Sequence, residues 1–373
     1  MMTDQTSSDG GLRRYTLVLA ALTLTGIALY FGRDLFVLLF TSGLLAFMLL
    51  PLCKSLERLR FPTWLAALVC CLLIVGVLAG LIWFLGWRFV HFGHDLPQLR
   101  EALNEKWVSV QRYLNEQFHF SRQDQTAWKD EQISSLASSG GNIAMGVFSA
   151  TGAVLAVVVL IPIFTFLLLV LKDKFHTFFD QLGGENGGTV LKVVIRSAEL
   201  SRKYLRGVLT VMVILSVLNS VGFLLLGLKY AILLGVTAAI LNVVPYVGPW
   251  IGSILPIIIA LITKDSMMYA LGALGVILIT QFIDNNFITP KIVGSSVSIN
   301  PLASIVALFA GGMLWGVVGL ILAIPLTGML KVVCDEVPGL KPWGFLLGEE
   351  RNYPQEGLLK IPFMPRWPAT TSG

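Results

Sequence analysis

One acidic residue follows a long apolar stretch and is surrounded by amide and hydroxyl side chains. Residues 267–283 contain no Asp, Glu, Lys or Arg, and Asp284 comes next, near Gln281, Asn285, Asn286 and Thr289. An ionisable side chain at membrane depth is costly and marks a functional site by default. The pattern predicts that Asp284 carries a proton or a cation in a hydrated cavity. The alternative is that Asp284 only caps the next turn or pairs with Lys291.

Two apolar segments flank Asp284, and both are too long for one simple membrane crossing. As straight helices, segment 231–263 would span roughly 50 Å and segment 301–330 roughly 45 Å, against about 30 Å for the hydrocarbon core. Helix-disrupting residues interrupt both: Pro245, Gly248, Pro249, Gly252 and Pro256 in the first, and Gly311, Gly312, Gly316, Gly319 and Pro325 in the second. Each segment is therefore either a re-entrant hairpin or a tilted, kinked helix packed through glycine.

Interrupted apolar segments are typical of transporter binding sites, because a broken helix frees backbone groups that protein, water or ligand must satisfy. We therefore expect a transport path here. The candidate path-lining or hinge residues are Asn242, Pro245, Tyr246, Gly248, Pro249, Gln281, Asp284, Asn285, Pro290, Gly312, Gly316 and Pro325. Among them, Asp284 is the candidate ion-coupling carboxylate, and Arg206 is the candidate counter-charge.

The elements that position these residues are apolar helices. The 373-residue chain is 55% apolar and 13% charged, against about 45–50% and about 25% in soluble domains. About half of it lies in spans without any Asp, Glu, Lys or Arg: 15–31, 35–53, 64–87, 143–171, 207–228, 231–263, 267–283 and 301–330. A spanning helix needs about 20 mostly apolar residues. Composition thus excludes a soluble protein and predicts an all-α polytopic membrane protein with about eight hydrophobic helical segments.

Polar segments divide the chain into regions. Residues 1–14 are expected to form a disordered tail, 15–335 a membrane transport domain, and 336–373 a polar C-terminal tail. Within the transport domain, 93–142 has the spacing of an amphipathic, helical extramembrane insertion, and 172–206 is a basic loop and helix. Since Lys and Arg concentrate in cytoplasmic loops, their distribution predicts that both termini and 172–206 are cytoplasmic and that the insertion lies outside.

Motifs for nucleotide, metal or nucleophilic chemistry are absent from the sequence. It contains no G-x-x-x-x-G-K-[ST], H-E-x-x-H, C-x-x-C or G-x-S-x-G. We therefore expect no cofactor, no metal site and no enzymatic activity. The formal net charge of +5 is explained by basic cytoplasmic loops, so nucleic acid is not an expected partner. The expected partners are the lipid bilayer and a small polar solute or a cation as substrate.

The residues that break the two segments also resemble a known family, the autoinducer-2 exporter family of PerM-type permeases. The similar motifs are Asn242-Val-Val-Pro245-Tyr246-Val-Gly248-Pro249, then Asp284-Asn285-x-x-x-x-Pro290-Lys291-x-x-Gly294, and then Gly311-Gly312-x-x-Trp315-Gly316-x-x-Gly319-x-x-x-Ala323-Ile324-Pro325. The resemblance is good over 200–335 and extends in segment order over 15–347.

The resemblance implies a homo-oligomeric protein of the bacterial inner membrane whose activity is transport. Three functions remain open at this point. The first is a permease or exporter of small polar solutes such as autoinducer-2. The second is a Na⁺(Li⁺)/H⁺ antiporter, because some similar proteins are credited with that exchange. The third is a non-transporting oligomeric membrane scaffold in which the interrupted segments only mediate packing.

Overall fold

The computed structural model describes residues 5–118, 151–182, 187–244, 247–264, 266–294 and 297–349, and every regular element in these ranges is helical. The helices are α1 (Gln5–Phe31), α2 (Arg33–Arg58), α3 (Thr63–Phe118), α4 (Thr151–Val170), α5 (Lys172–Leu182), α6 (Gly187–Leu225), α7 (Ala231–Leu241), α8 (Gly248–Thr263), α9 (Met267–Ile283), a π-helical turn (Asp284–Ile288), α10 (Thr289–Ile292), α11 (Pro301–Glu336), a 3₁₀ turn (Pro338–Leu340) and α12 (Lys341–Leu347).

Several helices have the length and composition of membrane spans. Among the described residues, five are long and apolar enough to cross a bilayer: Arg33–Arg58, Thr63–Val90, Gly188–Leu225, Met267–Ile292 and Pro301–Glu336. Their outward surface is apolar, as at Leu225 and Met313, whose exposed fractions are 84% and 82%. Such a surface is stable in lipid rather than in water. The predicted all-α polytopic membrane fold is confirmed.

Segment 231–263 forms a helical hairpin, here called the first hairpin. Its limbs α7 and α8 are about 16 Å and 24 Å long, each shorter than a bilayer core of about 30 Å. Along one continuous helix, Ala238 and Gly252 would be about 21 Å apart. Instead, a Cβ added at Gly252 would lie 3.1 Å from the Cα of Ala238. The limbs therefore lie side by side, and glycine permits their close approach.

Helix α11 also folds back, and Pro301–Glu336 is here called the second hairpin. At Gly316 the backbone leaves the helical region, with φ 62° and ψ −139°. Gly311 and Gly319 would be about 12 Å apart along a continuous helix, yet a Cβ on Gly319 would overlap the Gly311 carbonyl oxygen. The chain therefore reverses at Gly316, where glycine alone adopts this conformation without strain. Of the two shapes that the sequence left open for the interrupted segments, the structure has hairpins.

The two hairpins begin at opposite ends of α6. At one end, the N–H of Leu228, just before the first hairpin, donates to the carbonyl of Phe223 on α6 (3.0 Å). At the other end, Lys192 of α6 forms an ion pair with Glu336, the last residue of the second hairpin (2.9 Å). Helix α6 therefore spans the distance between the two entry points, and the hairpin turns lie between its ends.

Helices α2, α3 and α4 form a second packing unit beside the hairpins. The small side chains of Cys53, Ala66 and Cys70 are fully buried between them. At one end of this unit, the Lys172 ammonium donates to the Glu57 carboxylate (2.6 Å). Burial lowers the pKa of Lys172, but the Glu57 hydrogen bond and the charges of Asp173 and Glu57 outweigh burial and raise it. The ion pair thus ties α5 to α2.

The structure refines the region boundaries. Helix α1 begins at Gln5, so the described part of the 1–14 segment is helical where a disordered tail was expected. The part of the predicted insertion between 93 and 118 continues α3, while 119–142 lie outside the described residues. The second hairpin ends at Glu336, and α12 follows it before the undescribed C-terminal residues. The basic 172–206 segment consists of α5 and the start of α6.

Candidate functional site: a cavity around Asp284

Asp284 is buried, with 3% of its surface exposed. Its Oδ1 accepts a hydrogen bond from the Thr289 hydroxyl (2.7 Å), and its Oδ2 accepts one from Nδ2 of Asn242 (3.2 Å). Among the described residues, Asp284 forms no ion pair, and Lys291 is exposed. Neither form of the alternative, a cap of the next turn or a pair with Lys291, is seen among the described side-chain contacts of Asp284, which are with two neutral donors. One of these contacts comes from the first hairpin.

A π-helical turn from Asp284 to Ile288 gives the carboxylate its direction. Pro290 has no N–H, so it cannot make the α-helical bond to the carbonyl of Asn286. The N–H of Thr289 instead donates to the carbonyl of Asp284, five residues earlier. This wider turn puts the Thr289 hydroxyl beside the Asp284 carboxylate. Single π-helical turns of this kind are frequent at functional sites.

Asp284 faces a cavity of about 590 Å³ between α6, the first hairpin, α9 and the second hairpin. Cavities of about 300–1,000 Å³ accommodate small organic ligands. The polar side chains on its wall are those of Asn242, Ser253, Gln281, Asp284, Asn285, Thr289 and Ser304. Aliphatic side chains with Tyr204 and Trp250 form the rest of the wall. The cavity therefore combines one carboxylate and several amides with apolar surface.

The structure brings together five of the predicted path residues in this cavity: Asn242, Pro249, Gln281, Asp284 and Asn285. Gly248 instead packs against the carbonyl of Leu241 and closes the first hairpin. Pro290 is exposed but stands directly after the π-helical turn. Pro245 and Tyr246 lie outside the described residues.

The other predicted residues have structural positions around the cavity. Gly312 packs against Leu320 across the second hairpin, and Gly316 forms its turn. Pro325 is fully buried next to Ile324, which does line the cavity. Arg206 is exposed on α6 and is not among the residues that line the cavity. The counter-charge role expected for Arg206 therefore has no support in the geometry.

Sequence reasoning missed several wall residues, including Tyr204, Val208, Trp250, Ser253 and Ser304. A signal existed for α6, because Tyr204, Val208, Val211 and Leu215 recur at helical spacing and form one face. The two serines carried no such signal, since a serine in an apolar helix more often bonds its own backbone. Ser253, for example, donates to the carbonyl of Trp250 (2.6 Å).

Two hairpins from opposite ends, a buried carboxylate and a cavity between them are the arrangement of a transporter. A sequence model of the AI-2E family transporters matches residues 19–339 of this chain. The chain belongs to the AI-2E transporter family. The predicted family resemblance is thereby confirmed, and relatives in this family are named as transport proteins and permeases rather than enzymes.

Relatives of this AI-2E family chain are found along most of its length. It is 28% identical to the putative transport protein YueF of Bacillus subtilis over 81% of the chain and 84% of that protein. It is 22% identical to the AI-2 transport protein TqsA of Escherichia coli over 90% and 96%. It is 41% identical to the putative transport protein YrrI of Bacillus subtilis over 35% of the chain, and this match spans only 36% of YrrI.

Proposed function

We propose that this AI-2E family permease moves small polar solutes across the bacterial inner membrane through the cavity around Asp284. The observation that carries the proposal is a partly open cavity of about 590 Å³ between two hairpins, which enter from opposite ends of α6. Autoinducer-2 is the first candidate solute because a relative named as an AI-2 transport protein aligns along 90% of the chain. Amide and hydroxyl groups on the wall suit a hydroxyl-rich solute.

Asp284 is the proposed ion-coupling residue. Its carboxyl group is buried, and its two hydrogen-bond donors, Asn242 and Thr289, are both neutral. An ionised carboxylate in such a place is costly unless a cation compensates it. Taking up a proton or a cation therefore stabilises the occupied state. Because Asn242 belongs to the first hairpin, the charge state of Asp284 acts directly on the position of that hairpin.

A Na⁺(Li⁺)/H⁺ antiporter is the second candidate, favoured by the same buried carboxylate. A single carboxylate can hold either a proton or a monovalent cation, and alternating access of such a site to the two sides of the membrane would exchange the two ions. In that case the large cavity is the entry path of the ion rather than a solute site. A non-transporting scaffold is the third candidate, and it leaves the cavity of about 590 Å³ without a role.

The proposed setting is a homo-oligomer in the inner membrane, with both termini in the cytoplasm. The basic residues Lys192, Arg196 and Lys203 on the first half of α6 support this orientation, because such residues concentrate on the cytoplasmic side. The first hairpin then enters from the outside and the second from the cytoplasm. The exposed apolar surface is available for lipid and for contacts between subunits.

The experiment compares wild type, Asp284→Asn and Asp34→Asn in liposomes. Asp34→Asn is the matched control because it makes the same chemical change at a carboxylate with a 96% exposed side chain. Fluxes of autoinducer-2, Na⁺ and protons are measured across a pH gradient. We expect the flux of wild type and of Asp34→Asn to depend on pH. The flux through Asp284→Asn is expected to fall at least about tenfold, which corresponds to a lost coupling free energy of about 1.4 kcal/mol.

Three results would count against the proposal. Undiminished, pH-independent flux through Asp284→Asn would exclude the coupling role of Asp284. A wild-type protein that moves none of the three substrates would favour the scaffold. Wild-type movement of Na⁺ and protons without autoinducer-2 would favour the antiporter instead.

A further inference from the structure

Helix α5 (Lys172–Leu182) carries an apolar stripe that is exposed in the described part of the chain. Phe175, Phe178 and Leu182 recur three and four residues apart, so they lie on one face of the helix. Their exposed fractions are 40%, 52% and 62%, and no residue of α5 is buried. Phe179 widens the stripe and packs edge-on against Phe178, with ring centroids 5.3 Å apart. So much contiguous apolar surface on a short helix indicates a partner.

The opposite face of α5 is polar. Asp173, Thr177 and Asp180 share that face at helical spacing, and all three are exposed. Lys174 stands one turn before Phe178, at the edge of the stripe. A lysine there covers apolar surface with its stem and keeps its ammonium in water. An apolar face opposite a charged face is the pattern of a helix that lies in a membrane interface.

The stripe continues the exposed side of α4. One row of residues spaced four apart crosses the junction of the two helices, and all its members are exposed: Ile163, Leu167, Leu171 and Phe175. The N–H of Phe175 donates to the carbonyl of Leu171 (3.0 Å), so helical bonding runs through the junction. Leu169, on the other side of α4, is buried with residues of α2 and α3. The exposed side of α4 thus faces lipid and leads directly onto α5.

The first residues of α5 fix its depth. Residues 143–171 contain no Asp, Glu, Lys or Arg, and Lys172, Asp173 and Lys174 follow at once. Three consecutive charges are costly in the hydrocarbon core, so they mark its boundary. A helix that begins at this boundary buries an apolar stripe along its length by lying in the plane of the interface.

We propose that α5 is an interfacial helix that inserts Phe175, Phe178 and Leu182 into the bilayer surface. The helix contains two Lys and two Asp, so its formal charges balance. Its partner is therefore the apolar part of the bilayer surface, whatever the charge of the headgroups. A second copy of the chain fits the stripe less well, because the stripe extends the lipid-facing row of α4. The inference goes beyond the proposed function, since it concerns α5 and not the solute.

An interfacial α5 holds two parts of the fold at one depth. Its first residue, Lys172, forms the ion pair with Glu57 of α2. Helix α5 also packs against α6, the helix that spans the distance between the entry points of the two hairpins. With α5 in the interface, both α2 and α6 are tied to the membrane surface.

The test measures how deep single residues of α5 lie in a bilayer. The variants are Phe175→Cys, Phe178→Cys and Leu182→Cys on the stripe, and Thr177→Cys and Asp180→Cys on the polar face. Each full chain is labelled with a nitroxide and reconstituted in liposomes. The native cysteines are buried, and labelled wild type measures their background. Collisions of the nitroxide with oxygen, which concentrates in lipid, and with a water-soluble nickel chelate are then compared.

The oxygen-to-nickel collision ratio is expected to be several-fold higher at the three stripe positions than at the two polar positions. The stripe labels are expected to lie about 5–10 Å into the boundary between headgroups and acyl chains. Because the charges of α5 balance, the same pattern is expected in phosphatidylcholine alone and in mixtures with phosphatidylglycerol. A pattern confined to the mixtures would identify anionic headgroups as the partner and would overturn the apolar assignment.

A matched pair of substitutions tests whether the stripe itself holds the helix. Phe178→Asp places a charge on the stripe, and Thr177→Asp places the same charge on the adjacent residue of the polar face. Both are combined with the label at Leu182→Cys. The first is expected to lower the oxygen-to-nickel ratio several-fold, and the second to leave it unchanged. An unchanged ratio in both would contradict the role of the stripe.

Two further results would overturn the inference. High nickel accessibility at all five labelled positions would place α5 in water. Stripe labels shielded from both oxygen and nickel would mean that protein covers the stripe, from a second copy or from another segment of the chain. Since no solute flux is measured, the proposed function can fail while this inference holds, and the reverse.

Discussion

The reversal of the chain at Gly316 can be tested by one substitution. Its effect on the free energy of unfolding has one sign for a hairpin and the opposite sign for a continuous helix. The substitution is Gly316→Ala. In the structure Gly316 has φ 62° and ψ −139°, and a Cβ added there meets no atom within 4 Å. The added methyl group therefore has room, and the whole cost comes from the backbone conformation.

The magnitude follows from two opposing contributions. An alanine in a backbone region that only glycine populates is strained by about 1–3 kcal/mol. Replacing glycine also reduces the entropy of the unfolded chain, which stabilises the folded state by about 0.4–1 kcal/mol. The hairpin therefore predicts that Gly316→Ala lowers the free energy of unfolding by about 1–2 kcal/mol. A continuous helix predicts the opposite sign, a gain of about 1 kcal/mol.

The assay is equilibrium unfolding in mixed detergent micelles, followed by tryptophan fluorescence. Trp315, the neighbour of Gly316, donates from its indole N–H to the carbonyl of Leu29 on α1 (3.0 Å), so its environment changes when the second hairpin opens. The control is Gly275→Ala in α9, which also meets no atom within 4 Å but has no positive φ. We expect the Gly275→Ala variant to be at least as stable as wild type.

Gly319→Ala supplies a second measurement of the same hairpin. Its Cβ would overlap the carbonyl oxygen of Gly311, so this substitution forces the two limbs apart and is expected to cost more than Gly316→Ala. If Gly316→Ala and Gly319→Ala were both as stable as wild type or more stable, the chain would not reverse at Gly316. The second hairpin would then be refuted.

Two further predictions concern the hydrogen bond at Asp284 and the ion pair between α5 and α2. Thr289→Val removes one of the two donors to a buried carboxylate, a bond worth about 1.5–3 kcal/mol, so coupled flux in liposomes is expected to fall at least about tenfold while Thr289→Ser retains it. Wild-type flux through Thr289→Val would contradict this. Lys172→Met leaves the half-buried Glu57 without its cation and is expected to destabilise the protein by about 1–3 kcal/mol, part of which Glu57→Gln restores in the double variant. Equal unfolding midpoints for the single variants, the double variant and wild type would contradict the second prediction.

Residue type and spacing predict several of the residues that line the cavity. Asp284 was predictable as a candidate because a carboxylate that follows 17 residues without any charged side chain is costly at membrane depth. Asn242 and Pro249 were predictable because they accompany a break in an overlong apolar segment. Trp250, Ser253 and Ser304 were not predictable, because their membership of the wall depends on which side of each helix faces the cavity.

Arg206 shows why charge and proximity in sequence are weak predictors of a partner. It lies on the same helix as Tyr204 and Val208, which line the cavity, but it is exposed on another side of that helix. Two residues along a helix correspond to a rotation of about 200°, so neighbours in sequence point in opposite directions. The neutral Asn242 and Thr289 contact Asp284 instead.

By itself, the sequence determined the class of this protein and the positions at which its helices break. Those properties are local, since apolar length, charge-free composition and the backbone limits of glycine and proline require no knowledge of distant contacts. The tertiary structure alone decided that the broken segments fold back, that they enter from opposite ends of α6, and that Asn242 reaches Asp284 across 42 positions of the chain. These depend on packing between separate segments, where a close approach such as that of Gly252 and Ala238 decides the geometry.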